Sequence, residues 1–273
     1  MVKFVHLSDL HIHGSEKEDN INFQNIVNFI INRYSNDRGN ERPIILLTGD
    51  ITDDGYEDQY KNAVNLLKPL VDNDFKVLAV PGNHDYGPAG NIYTEKSQQL
   101  FQDYILGKLL DIPKAKKESI KMEDLYPMVT VEENVLFIGL DSVVGNENEF
   151  LHFASGEVGK PQRKELANIL KTNAHSGRKV VVYFHHHPFY RNLFKKIVLE
   201  MDDAKEVLRI LADLADFVCF GHKHESDIWS ASHNIDWILA SGKTTEKNDQ
   251  YKFQYREVRI DGETNEVAMI TFK

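Results

Sequence analysis

The chain has 273 residues, with 32 Lys and Arg against 42 Asp and Glu, so its formal net charge is −10. With 41% hydrophobic and 27% charged residues it can bury a sizeable core, and its acidity works against nonspecific attraction to nucleic acid or anionic lipid. The single cysteine, Cys219, lies inside an apolar run; it cannot close an intrachain disulfide and fits a reducing compartment.

Met1-Val2-Lys3-Phe4-Val5-His6 enters a strand pattern directly. It has no apolar stretch long enough for a signal peptide or a membrane span, so the cytoplasm is the expected location. Strands are predicted at Val2–Leu7, Ile44–Leu47 and Phe75–Val80, then at Val135–Leu140, Val180–Phe184 and Phe217–Phe220. Between them, Phe23, Ile26, Val27, Ile30 and Tyr34 fall at helical spacing, as do Tyr60, Ala63, Val64 and Leu67. Leu166, Ile169 and Leu170 repeat the pattern behind Pro161, and Ala204, Val207, Leu208 and Leu211 give one more amphipathic face. Unbroken apolar strands alternating with such helices predict an α/β sheet covered on both faces. From Asp227 onward the pattern is β only, with strands predicted at Ile235–Ala240, Phe253–Ile260 and Val267–Phe272. One domain over 1–273 is expected. Two irregular stretches, 86–126 and 143–159, read as excursions that wall a cleft.

Chemistry gathers where the apolar runs stop. They end in Ser8-Asp9-Leu10-His11, Thr48-Gly49-Asp50, Gly82-Asn83-His84-Asp85, His185-His186-His187-Pro188 and Gly221-His222-Lys223-His224. Parallel strands would bring these ends to one edge, where α/β sheets place ligands. Asp, Asn and His form a mixed oxygen and nitrogen donor set, suited to Mn, Fe or Zn rather than to Ca or a thiolate zinc site. In extended backbone Asp9 and His11 point to one side, as do His222 and His224, so each pair can reach one centre. Asp50 has two oxygens with which to bridge two ions. Each fragment alone is a weak signal, and His6, His152, His175 and His233 read as structural. His13, Arg191, Lys195 and Lys196 are candidates for touching a phosphate, with a solvated face as the alternative. Ser241-Gly242-Lys243 reads as a turn or a cleft wall.

The ordered set of motifs resembles the calcineurin-like metallophosphoesterases, whose pattern is D-x-H, G-D, G-N-H-[DE], H and G-H-x-H, here spanning Asp9 to His224. The resemblance implies a four-layer α-β-β-α sandwich, two mixed β-sheets flanked by helices. It implies two divalent or trivalent metal ions, Mn2+ or Fe foremost and Zn2+ admitted. The first would take Asp9, His11, Asp50 and His224; the second would take Asp50, Asn83, His222 and one histidine of the cluster. The family's H-x-P arrangement selects His186, with His185 in reserve. Hydrolysis would proceed by attack of a hydroxide bridging the ions, with His84 protonating the leaving group and Asp85 orienting His84. His6-Leu7-Ser8-Asp9-Leu10-His11, His-His-Pro, Leu140-Asp141-Ser142, Gly156-Glu157 and Gln162 resemble the class III cyclic nucleotide phosphodiesterase branch. One departure is Tyr86-Gly87-Pro88, where many members of that branch place an arginine. The expected partner is a small phosphoester, with nucleic acid and membrane disfavoured. The alternatives are a nuclease or phosphoprotein phosphatase with the same chemistry, and a scaffold that has lost it.

Overall fold

The apolar runs become strands because both of their faces are covered: every residue of Ile44–Thr48 and of Val135–Gly139 is buried. The computed structural model describes residues 1–37, 41–117, 120–143, 155–189, 200–247, 253–262 and 264–273. Among these, one sheet contains β1 (Val2–Leu7), β2 (Ile44–Thr48), β3 (Val77–Val80), β10 (Phe253–Asp261) and β11 (Thr264–Phe272), in the order β11-β10-β1-β2-β3. The second contains β4 (Met128–Glu132), β5 (Val135–Gly139), β6 (Lys179–Tyr183), β7 (Phe217–Phe220), β8 (Asp227–Ser232) and β9 (Ile235–Ala240), in the order β4-β5-β6-β7-β9-β8. β1, β2 and β3 are parallel, as are β5, β6, β7 and β9, while β10, β11, β4 and β8 pair antiparallel, and β11, β4 and β8 form every edge but that of β3. Both sheets are therefore mixed.

The sheets face each other across aromatic packing. Phe4 of β1 meets Phe137 of β5 and Phe217 of β7 edge to face, with centroids 5.9 and 6.2 Å apart. Truncating such a fully buried ring to alanine costs about 3–5 kcal/mol. Helices α1 (Glu18–Arg33) and α2 (Glu57–Asp72) bury Phe23, Ile26, Val27, Tyr60 and Leu67 in the core of the first sheet. Helices α4 (Gly159–Asn173) and α5 (Ala204–Leu211) bury Leu166, Leu170, Val207 and Leu211 against Ile138, Val182 and Val218 of the second. The result is the expected α-β-β-α sandwich.

Differences from expectation fall at the margins. β4 and β8 are edge strands with partly exposed residues, so they lack the apolar run that marks the others. His233 and Asn234, both left-handed at φ 55° and 56°, join β8 to β9 in a two-residue turn. The expected excursion at 86–126 holds α3 (Glu95–Leu100), capped by Thr94 Oγ1 on Ser97 N–H, and a π-helical stretch at Phe101–Leu109. It packs on α2 through Phe101 and Tyr60. Most of the excursion at 143–159 lies outside the described residues, as do His152, Arg191, Lys195 and Lys196. Among the described residues no helix is long and apolar enough to cross a membrane.

Candidate metal centre

The loops leaving β1, β2, β3, β6 and β7 meet at one edge of the sandwich. Asp9 N–H donates to the Gly49 carbonyl, and Leu10 and His11 N–H both donate to the Asp50 carbonyl, locking the first two loops together. Gly221 N–H donates to the His185 carbonyl, and His222 N–H reaches both oxygens of Asp9 at 3.1 Å. Five residues of the expected donor set, Asp9, His11, Asp50, His222 and His224, have φ between 48° and 75°. That left-handed conformation costs on the order of 1–3 kcal/mol for a residue with a side chain. Five such residues together rival the net stability of a domain, so the surrounding contacts must hold them. Two glycines permit the close approach: a Cβ on Gly82 would sit 2.2 Å from Asp50 Oδ1, and one on Gly221 would sit 2.5 Å from Asp9 Oδ2.

The imidazole tautomers follow from their partners. His185 Nδ1 lies 2.7 Å from the Thr48 carbonyl, which only accepts, so Nδ1 carries the proton. His185 Nε2 lies 3.0 Å from Asn83 Oδ1 and 3.2 Å from Asp50 Oδ2. Asn83 Nδ2 donates to the Gly90 carbonyl, which fixes Oδ1 as the atom facing inward, 3.2 Å from His222 Nδ1. On the other side, His11 Nδ1 donates to Asp53 Oδ1, leaving Nε2 pointed at His224 Nε2, 3.1 Å away. His224 Nε2 lies 3.4 Å from Asp9 Oδ1. Ring nitrogens, an amide oxygen and carboxylates thus converge from several sides; ring protons can bridge these pairs, and a cation can take their place. Asp9, His11 and His224 form one group whose donor atoms all lie within 4.8 Å of one another; Asp9, Asp50 and His185 form a second, and His185, His186 and His222 a third. The donor chemistry fits bound cations.

Electrostatics agree. Burial works against charge on His185, yet Asp50, its hydrogen bond and Asp9 together raise its pKa to about 9. Burial likewise opposes a charged Asp50, and His185, His84 and His11 still hold its carboxyl well below the usual range. His222, by contrast, is lowered to about 3 by burial and by His185, and stays neutral at pH 7.

Of the two cluster histidines weighed as a ligand, His185 is set against Asn83, Asp50 and His222, and His186 shares with His185 and His222 one group of converging donor atoms that could hold an ion. Ser142 Oγ accepts from the backbone N–H of both histidines and contacts His186 Nδ1 at 2.9 Å, which turns His186 towards Ser142 and Gly156. His186 Nε2 is buried without a partner. Asp85 was expected to orient His84. Its carboxylate instead accepts from the backbone N–H of Ile51, Thr52 and Gly82 and from Thr52 Oγ1. His84 Nδ1 donates to the backbone carbonyl of Asp53 at 2.6 Å, and its ring packs 4.7 Å from that of His11.

Asp53 escaped sequence reasoning and proves to be a hub. Its carboxylate holds His11 Nδ1 and lies 3.2 Å from His13 Nδ1. The polar run Thr52-Asp53-Asp54 behind Asp50 was the available signal. His13 is enclosed by Asp53 and Asp19, and Lys243 Nζ bonds Asp19 at 3.0 Å.

Fold and donor set together define a metal-binding α/β sandwich with its site at the carboxyl ends of parallel strands. The chain belongs to the calcineurin-like phosphoesterase family, whose sequence model matches residues 2–226; the chemistry of that family is dinuclear and metal-dependent. A relative named "Probable cyclic nucleotide phosphodiesterase", from Vesicomyosocius okutanii subsp. Calyptogena okutanii, is 32% identical over 104 residues. That match covers 38% of this chain and 41% of the relative, less than half of its length. A protein of the same description from Coxiella burnetii is 25% identical over 226 residues, 82% of this chain and 76% of the relative. Among solved structures, a dimetal phosphatase from Danio rerio superposes with a TM-score of 0.68 at 14% identity, covering 100% of this chain and 99% of that one. A purple acid phosphatase from yellow lupin gives 0.60 at 13% identity, with 99% and 54% coverage. At such identities these two likenesses speak for the fold.

Proposed function

We propose that the protein is a dinuclear metal-dependent phosphohydrolase acting on small phosphoesters, with cyclic nucleotides as the foremost class. The observation that carries this reading is the convergence of His185 Nε2, Asn83 Oδ1 and His222 Nδ1 around Asp50. One ion would be held by Asp9, His11, Asp50 and His224, and the other by Asp50, Asn83, His185 and His222, with His186 beside the second. A hard or borderline cation suits these donors, Mn2+ or Fe foremost and Zn2+ next. When bound, such a pair supplies Lewis acidity towards the phosphoryl oxygens and lowers the pKa of water.

This chain's residues then divide the remaining work. His84, fixed through its Nδ1–H on the Asp53 carbonyl, gives its Nε2 proton to the departing alkoxide as the imidazolium and is left as the neutral Nδ1–H ring. Asp85 holds the Gly82 turn against the loop after β2, which keeps Asn83 and Asp50 at one spacing. Asp53 and Thr48 set the tautomers of His11 and His185. The names of the relatives support a cyclic phosphodiester as substrate. The test is a panel of cyclic nucleotides, nucleoside monophosphates, an aryl diester and single-stranded DNA, each assayed with Mn2+, Fe2+ and Zn2+. Metal-dependent hydrolysis with the highest kcat/KM on a cyclic nucleotide is expected. Preference for DNA would favour a nuclease, and no metal uptake and no turnover would leave a scaffold.

A further inference from the structure

Tyr86-Gly87-Pro88 follows β3 in the first sheet and Leu140-Asp141-Ser142 follows β5 in the second, and the two stretches meet in the fold. The Tyr86 hydroxyl donates to Asp141 Oδ2 at 2.5 Å, and both residues are fully buried. Each end of this bond is anchored. Tyr86 N–H donates to the Asn83 carbonyl at 3.2 Å, the Tyr86 carbonyl accepts from Thr94 N–H, and the ring packs edge to face on Phe101. The Asp141 backbone exchanges two hydrogen bonds with the Gln162 side chain near the start of α4, and Asp141 Oδ1 accepts from Val143 N–H. Ser142, the next residue, accepts through Oγ from the backbone N–H of His185 and of His186, each at 3.2 Å. His185 Nε2 lies 3.0 Å from Asn83 Oδ1. Asn83, Tyr86, Asp141, Ser142 and His185 therefore close a circuit that crosses between the sheets twice. One crossing joins two side chains of the second donor group, His185 and Asn83; the other joins Tyr86 and Asp141, which belong to neither group.

We propose that Tyr86 and Asp141 are positioning residues: their hydrogen bond sets the separation of Asn83 from His185 and through it the affinity for the second ion, a role that rests on the dinuclear reading above. A hydroxyl donating to a carboxylate away from water makes a short, strong bond, and this one ties the turn that carries Asn83 and His84 to the loop that seats His185 and His186. Without it, the two loops keep their own anchors to Thr94 and Gln162 but lose this tie between them. The first donor group, Asp9, His11 and His224, lies outside the circuit, so the effect falls on the second ion alone.

The test removes the hydroxyl and keeps the ring. In Tyr86→Phe, isothermal titration with Mn2+ should show the first ion bound as in the wild type and the second bound roughly 10–100-fold more weakly. Asp141→Asn, whose amide still meets the phenol, should lose less than Asp141→Ala. A lower Tm with both ion affinities unchanged is the signature of a brace for the fold alone and would overturn the proposal, as would equal weakening of both ions. Should the Asp141 variants not fold, Tyr86→Phe decides. Crystal structures of the metal-free wild type and metal-free Tyr86→Phe separate this role from the dinuclear reading. The distance from Asn83 Oδ1 to His185 Nε2 should lengthen in the variant, and an unchanged distance would overturn the proposal. A wild type that takes up fewer than two ions would remove the dinuclear reading, and the metal-free pair of structures would still decide whether Tyr86 sets the separation.

Discussion

The two ends of the sandwich look alike at first sight, and differ where it counts. At the amino end of the second sheet lies a cavity of about 580 Å³, lined by Asn173, Arg178, Asp213, Asp216, Asn234 and Asp236 among others. Its polar groups include satisfied pairs: Asp216 accepts from Lys179 Nζ and Val180 N–H, and Asn234 bonds Asp213. At the carboxyl end the side chains crowd together, and metal-competent atoms face one another at about 3 Å. Left-handed backbone occurs at both ends. At the amino end it belongs to loop and turn residues such as Asp213, His233 and Asn234; at the carboxyl end it belongs to donors. Size of cavity therefore says little about chemistry here, and converging metal-competent atoms say much.

Substitutions can break or sharpen that contrast. The largest effect is expected from Asp50→Asn, which removes the carboxylate oxygen nearest His185 and facing both histidine groups. Hydrolysis of every phosphoester should fall below detection and metal content should drop, as measured by turnover and elemental analysis. Asp216→Asn at the opposite end should lower Tm and leave kcat unchanged. Next comes His84→Ala, with a loss of roughly 10²–10⁴-fold on a substrate with a poor leaving group and a smaller loss on an aryl ester. Metal content should hold; equal losses on both substrates would remove His84 from the proton-donor role.

Smaller effects separate neighbours. His185→Ala should release one ion per chain, whereas His186→Ala should retain both and weaken affinity by roughly 10–100-fold, as for an outer partner of a ligand. Isothermal titration with Mn2+ distinguishes them, and the opposite ranking would restore His186 as the ligand. The smallest contrast uses glycines. Gly82→Ala drives a Cβ into Asp50 and should reduce metal affinity. Gly177, left-handed at φ 73° with nothing within 4 Å, should lose only about 1–2 kcal/mol of stability as alanine, read by denaturant unfolding with metal titration unchanged.

Much of this was legible in the sequence, for physical reasons. β1, β2, β5, β6, β7 and β9 announce themselves because burial on both faces demands apolar runs. β4 and β8 do not, since edge strands need no such run. The donor types and their order could be read because each follows a strand end. Side-chain direction could not. His84 and Asp85 sit in a 3₁₀ turn at His84–Tyr86, where successive residues diverge by about 120°, so adjacency in sequence did not put Asp85 behind His84. The directions of His185 and His186 likewise depend on Ser142, 43 residues before His185, whose hydroxyl accepts from both backbone N–H groups. The burial of Arg256 beside His6 could not be read at all, because it arises from register across β1 and β10 and from the packing of the second sheet above them.

The central claim is a pair of ions sharing Asp50 at the carboxyl edge. A crystal structure of the manganese-loaded protein, with an anomalous map at the metal edge, tests it most directly. Two peaks are predicted, one among Asp9, His11, Asp50 and His224 and one among Asp50, Asn83, His185 and His222. A single peak, or a second peak that does not touch Asp50, would contradict the account.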